Sequence, residues 1–81
     1  MKARVVVMPK KDVLDPQGKA VSGALHALGH THVEEVRMGK LIILDLGDGL
    51  DLESAKAKVT EMCESLLANT VIEEYTFELE G

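Results

Sequence analysis

Apolar and polar positions sort this chain into six segments. Ala3 to Met8 is a β-branched, apolar run closed by Pro9, which predicts a first strand. Val21, Ala24, Leu25 and Leu28 recur at helical spacing and predict a helix from the Asp15-Pro16 start to Gly29. Val33–Met38 and Leu41–Leu46 are two further strand-like runs, with Gly39-Lys40 between them. Leu52, Ala55, Val59, Met62, Cys63, Leu66 and Leu67 lie on one face of a second helix, with Glu53, Lys56, Glu61 and Glu64 on the other. From Val71 to Glu80, Val71, Glu73, Tyr75, Phe77 and Leu79 alternate with Ile72, Glu74, Thr76, Glu78 and Glu80, an imperfect period of two with one mainly apolar and one acidic face, which predicts a last strand.

Local chemistry marks the boundaries. Asp15 can accept from the free N–H groups of a first helical turn, and Pro16 at the first helical position gives up only an N–H that would be unpaired anyway. Gly29 suits a left-handed stop. Asp51 is the expected cap of the second helix and Asn69 the residue just past its end. Gly18 and Gly23 inside the first helix each cost about 1 kcal/mol relative to Ala, which is compatible with a close approach to the backbone there or with simple tolerance. Gly39-Lys40 reads as a hairpin turn pairing the second and third strands. Gly47-Asp48-Gly49 reads as a turn, because the longer glycine patterns that hold phosphates are missing.

The order strand–helix–strand–strand–helix–strand is that of a ferredoxin-like α+β fold, a two-layer βαββαβ sandwich of one domain over residues 1–81. It predicts a four-stranded antiparallel sheet with two helices on one face. A sheet wet on one face should be apolar on one side only. Here Val5 and Val7 oppose Val6 and Met8, and Leu41 and Ile43 oppose Ile42, Leu44 and Leu46. Both sides of two strands are apolar, so the open face is expected to lie against another copy in a two-fold dimer, with Val5, Val6, Val7, Met8, Ile42, Leu44 and Leu46 as the candidate residues.

Composition narrows the function. The apolar share of 46% is almost wholly aliphatic, with one Phe, one Tyr and no Trp, a core that favours association with other chains. A net charge of −5 argues against nucleic acid and anionic membrane surfaces as partners. One cysteine, Cys63, excludes an intrachain disulfide and fits a reducing compartment. No run of about 18 apolar residues is present, and Met1–Met8 is too short for a signal peptide, so a soluble, cytoplasmic protein is expected. His26 and His30 are four apart and His32 adds a third imidazole, but Gly29 interrupts them and no Cys or carboxylate completes a metal set. Met62 and Cys63 fall on the apolar stripe as core residues. No nucleophile elbow, P-loop or CxxC pair occurs, so no catalytic, cofactor or metal residue is assigned.

The run Val13-Leu14-Asp15-Pro16-Gln17-Gly18-Lys19-Ala20, with Val36-Arg37-Met38-Gly39-Lys40 and Met62-Cys63-Glu64-Ser65-Leu66-Leu67-Ala68-Asn69-Thr70-Val71-Ile72-Glu73, resembles the PurS family of phosphoribosylformylglycinamidine synthase across essentially the whole chain. At the position of Thr70 that family more often has Pro. The resemblance implies a small non-catalytic subunit of an ATP-dependent carbon–nitrogen ligase in de novo purine biosynthesis, itself a dimer or tetramer. It implies two partners, a PurQ-type glutaminase that releases ammonia and a PurL-type synthetase that consumes it. ATP and magnesium serve the complex, with none bound on this chain. Glutamine, ATP and formylglycinamide ribonucleotide (FGAR) are converted to the amidine (FGAM). Motif match makes Asp15, Pro16, Gln17, Gly18, Lys19, Arg37, Gly39 and Lys40 the candidate partner contacts; helix capping and turn formation would use the same residue types. The alternative is a small-molecule-sensing module of the ACT type, which shares the element order. An acylphosphatase-like enzyme lacks its anion loop here, and an RNA-binding sheet lacks its stacking aromatics.

Overall fold

The computed structural model describes all residues, Met1–Gly81. Its elements are β1 (Lys2–Pro9), α1 (Pro16–Ala27), β2 (Lys40–Asp45), α2 (Leu52–Met62) continued by a π-helical turn at Cys63–Leu67, and β3 (Glu73–Glu80). Both helix starts form as their sequences dictate. The Asp15 side chain accepts from the Gly18 N–H at 3.0 Å, Pro16 opens α1, and Asp51 accepts from the Ser54 N–H at 2.7 Å. Gly29, at φ +101°, turns the chain out of α1. The expected second helix ends in one widened turn. Ala68 N–H donates to the Cys63 carbonyl at 3.0 Å, and the Ser65 hydroxyl donates back to the Glu61 carbonyl at 2.7 Å where the ladder spacing changes.

β1 is the middle strand of a three-stranded antiparallel sheet ordered β2-β1-β3. Val5 pairs with Ile42 on one side and Phe77 on the other, and Ala3 with Leu44 and Leu79. Directly opposed residues share a face, so these pairs place Ala3, Val5, Val7, Ile42, Leu44, Tyr75, Phe77 and Leu79 on one side of the sheet. α2 covers that side with Ala55, Val59 and Cys63, and the core of Ala3, Val5, Val7, Val59, Cys63 and Ala68 lies between. The Tyr75 hydroxyl donates to Glu64 Oε2 at 2.7 Å and ties β3 to the π-helical turn. That hydrogen bond, with partial burial, pushes the phenol up to about 12.

The opposite side carries no helix. Val6 and Met8 from β1 lie there with Leu41 and Ile43 from β2, the last two 52% and 49% exposed. The residues expected for the open face therefore divide. Val6 and Met8 are on it, whereas Val5 and Val7 are fully buried beneath α2 and Ile42, Leu44 and Leu46 are half-buried against the same core. The alternation of the pleat, fixed by the Val5–Ile42 register, separates them.

The sheet also departs from expectation in having three strands. The first pair of the β1–β2 ladder is Val7 with Lys40, so the chain before Lys40 runs past the end of β1. The other edge of β1 is taken by β3 from Lys2 to Pro9. Val33–Met38 thus has no ladder, and no hairpin forms at Gly39-Lys40. A two-residue hairpin turn needs positive φ, which only Gly29, Gly47 and Gly49 adopt. Gly39 serves close approach instead: a Cβ there would collide with the Val7 carbonyl and the Met8 sulfur.

α1 does not pack on the sheet beside α2. It projects with the returning strap, Val33–Met38, as an arm, and the molecule measures 50 × 25 × 14 Å. The radius of gyration is 16.2 Å, against about 12 Å for a compact domain of this length. Leu28, at the end of the apolar stripe of α1, is 75% exposed.

Val59→Ala removes two methyl groups from the centre of the core and is expected to lower unfolding free energy by about 2 kcal/mol. The exposed Lys56→Ala should change it by less than about 0.5 kcal/mol. Urea titration of the two variants measures the contrast.

Candidate interaction site

The arm meets the sheet at a joint built around one carboxylate. Asp15 Oδ1 accepts from the Gly18 N–H, capping α1, and Oδ2 accepts from the Met38 N–H at 2.8 Å, holding the strap against the helix start. The Met38 hydrogen bond, then that of Gly18, holds the Asp15 carboxyl below the usual carboxylate range. Gly18 is the buried residue of α1 because the Val36 carbonyl rests where a side chain would begin. Of the two helix glycines visible in the sequence, this one makes the close approach; Gly23 faces open space.

Arg37 locks the other side of the joint. Its Nη2 donates to the Pro9 carbonyl at the end of β1 and lies 3.5 Å from Glu74 Oε1 on β3, while its Nε has no acceptor. Lys10 N–H donates to the Ile72 carbonyl at 2.9 Å, fixing the chain between β1 and α1. At the far end of the arm the His26 ring approaches the Val33 carbonyl at 2.7 Å, and the His30 and His32 rings sit edge to face, 6.2 Å between centroids. No three potential metal-binding side chains come together.

Between α1 and the strap lies a cleft of about 480 Å³. Lys10, Lys11, Lys19 and Arg37 line it against Asp15, Glu34 and Glu35, so cations lead four to three in a chain whose net charge is −5. A lining that carries charges of both signs in near balance suits the recognition of a polar surface. Among the motif residues, Asp15, Gly18, Lys19 and Arg37 come together around this cleft, whereas Gly39 and Lys40 do not line it: Gly39 packs on Val7 and Met8 and Lys40 begins β2. Pro16 and Gln17 are exposed on the first turn of α1. Sequence reasoning missed Pro9, Lys10, Met38 and Glu74, whose parts rest on backbone groups or on partners far away in the chain. Cys63 is buried, and burial, with the nearby Glu64 charge, pushes its thiol up, as befits a core residue.

The fold and the joint define a small α+β protein with a bare sheet face and a projecting arm, built as a contact module. Comparison with known proteins makes this specific. The chain matches the PurS family, described as phosphoribosylformylglycinamidine (FGAM) synthase, over residues 2–81, and belongs to it. It is 49% identical over 80 residues to the synthase subunit PurS of Bacillus subtilis, covering 98% of this chain and 92% of the relative. The solved structure of B. subtilis PurS superposes with a TM-score of 0.85 at 48% identity, over 99% of this chain and 98% of that one. A chain in the structure of PurLQS from Thermotoga maritima matches with a TM-score of 0.83 at 32% identity, over 95% and 93%. The chain is thus a PurS-family subunit of FGAM synthase, in purine biosynthesis.

A carboxylate with a lowered folded-state pKa stabilises its state above its usual value of 3.8 and loses that contribution as pH falls through the folded value. Slow exchange of the Met38 and Gly18 amides should therefore persist at neutral pH and disappear below the ordinary Asp range, after correction for intrinsic exchange. Asp15→Ala should abolish it at neutral pH, with α2 and the sheet unchanged. Gly18→Ala should displace the strap in the same way, because its Cβ cannot coexist with the Val36 carbonyl. Amide exchange followed by NMR tests all three.

Proposed function

We propose that this chain acts as a non-catalytic, homo-oligomeric adaptor that holds a glutaminase and an ATP-dependent synthetase together so that ammonia passes between them. The observation that carries the proposal is the arm. A chain this small that spans 50 Å, leaves one sheet face uncovered and exposes Leu28 at the end of α1 is shaped for contacts beyond itself. The matching chain in the structure of PurLQS from T. maritima supports partners of the PurL and PurQ types.

The chemistry gives such an adaptor its purpose. Ammonia released into neutral water is mostly protonated, and ammonium has no lone pair with which to attack carbon. A closed route between two active sites keeps the nucleophile neutral, and an adaptor fixes the geometry that keeps the route closed. ATP and magnesium belong to the synthetase side of the complex. The partner surface is the α1 start and the strap: Pro16, Gln17, Lys19 and Lys40 offer exposed contacts, with Arg37 beside them, and Asp15, Gly18 and Gly39 shape the backbone beneath. Val6 and Met8, with Leu41 and Ile43, offer the apolar face for a second copy. No helix is long and apolar enough to cross a membrane, in keeping with work in the cytoplasm beside the other enzymes of the pathway.

Reconstitution tests this. With the glutaminase and synthetase mixed, adding this chain should raise glutamine-driven FGAM formation at least tenfold while leaving ammonia-driven formation within about twofold, since free ammonia bypasses the route. Equal stimulation of both, or of neither, would remove the adaptor role. The double variant Lys19→Ala/Arg37→Ala should weaken assembly, measured by analytical ultracentrifugation, by tenfold or more. Unchanged assembly and glutamine-driven turnover would take both residues off the partner surface.

A further inference from the structure

Two loops far apart in the chain meet beside the joint and leave aliphatic side chains in water. Lys10 N–H donates to the Ile72 carbonyl at 2.9 Å, and Val13 N–H closes the first loop onto the Lys10 carbonyl at 3.0 Å. The second loop is the turn from Asn69 to Glu73. Its Asn69 carbonyl accepts from the Ile72 and Glu73 N–H groups, and the Asn69 side chain accepts from Val71 N–H at 3.2 Å. Glu73 Oε1 in turn accepts from Asn69 N–H at 2.7 Å. A turn so fully bonded has a fixed shape. Yet Val71 at its tip is 79% exposed, Ile72 is exposed beside it, and Leu14, just past the first loop, is 68% exposed. One such residue would be ordinary on a protein surface; three around a single rigid junction make a patch. Lys10 and Lys11 lie in the same junction and form no ion pair.

Resting on the adaptor reading above, we infer that this junction is the apolar anchor of the surface that docks on a partner enzyme. Leu14, Val71 and Ile72 enter an apolar pocket of that enzyme, and carboxylates on the pocket's rim meet Lys10 and Lys11. The α1 start and the strap offer polar side chains and shaped backbone, whereas a specific interface concentrates its binding energy in a few desolvated anchors ringed by polar groups. The junction supplies those anchors. Leu14 adjoins the Asp15 cap and lines the cleft together with Lys10 and Lys11, so the patch is continuous with that surface. Because the turn is already rigid, docking costs little ordering of its backbone. Charge disfavours a second copy as the occupant. In a two-fold contact the junction would meet itself, and Lys10 and Lys11 would face the same lysines.

Val71→Asp carries a charge into the pocket from a position with little packing to lose. With the full chain and the two enzymes, it should raise the Kd of assembly at least tenfold by analytical ultracentrifugation. Lys10→Glu/Lys11→Glu should do the same, and its deficit should grow as salt is lowered. Leu52→Asp, at an exposed leucine that starts α2, should stay within about twofold. As a second readout, Val71→Cys should react with a maleimide at least tenfold more slowly in the complex than in the chain alone. Leu52→Cys should keep its rate, and the buried Cys63 should not react. If the parent assembles with the enzymes but Val71→Asp assembles equally well and Val71→Cys stays reactive, the anchor is overturned and the adaptor reading stands. If the parent binds neither enzyme, both fall. If Val71→Asp weakens self-association of the chain alone as much as it weakens assembly, the junction is a contact between copies and the anchor is likewise overturned.

Discussion

β1 has hydrogen-bonding partners along both of its edges, and the rest of the architecture follows from that. With β2 on one side and β3 on the other, the middle strand has no place for a third neighbour. The register that starts β2 at Lys40 then sends the preceding residues beyond the end of the sheet. A segment with strand composition becomes a strap, and the helix joined to it is carried off the sheet. The outcome is a molecule whose core is confined to one face of three strands and a single helix, with only eight of 81 residues buried. A core of that size is meagre for a chain of this length, which gives contacts with other chains a thermodynamic role as well as a functional one.

The arm is not a loose appendage. Asp15 spends both carboxylate oxygens on it, one on the helix start and one on the returning strap, and Arg37 fastens the strap to the end of β1. Two glycines remove the side chains that would hold the backbones apart, Gly18 beneath the Val36 carbonyl and Gly39 against Val7 and Met8. The arm thus has a defined attitude to the sheet. The proposed adaptor role would depend on this, because a partner held by a flexible tether gains proximity but no fixed orientation.

The two exposed surfaces differ in chemistry. The bare sheet face offers aliphatic side chains rimmed by the glutamates of β3, whereas the cleft offers lysines on a backbone frame. An apolar face suits a permanent contact, and a charged, hydrated cleft suits one that forms and releases. The two surfaces lie on different parts of the molecule, the sheet face on β1 and β2 and the cleft between α1 and the strap.

Sequence by itself determined the elements whose causes are local. Asp15-Pro16 and Asp51 set the helix starts, Gly29 ended the first helix, and alternation in Ala3–Met8, Leu41–Leu46 and Tyr75–Leu79 sorted side chains between two faces. The family motif pointed to Asp15, Gly18 and Arg37, which do meet around one joint. Tertiary structure decided which strands became neighbours, that Gly39 serves contact instead of a turn, and that α1 leaves the sheet. It also assigned Val5 and Val7 to the covered face and Val6 and Met8 to the bare one. The physical reason is one of range. Caps and periodicity act within a few residues, whereas register and edge occupancy depend on groups far apart in the chain. A strand-like sequence specifies an extended backbone with unmet hydrogen bonds, and only the assembled sheet determines which edge is free to meet them.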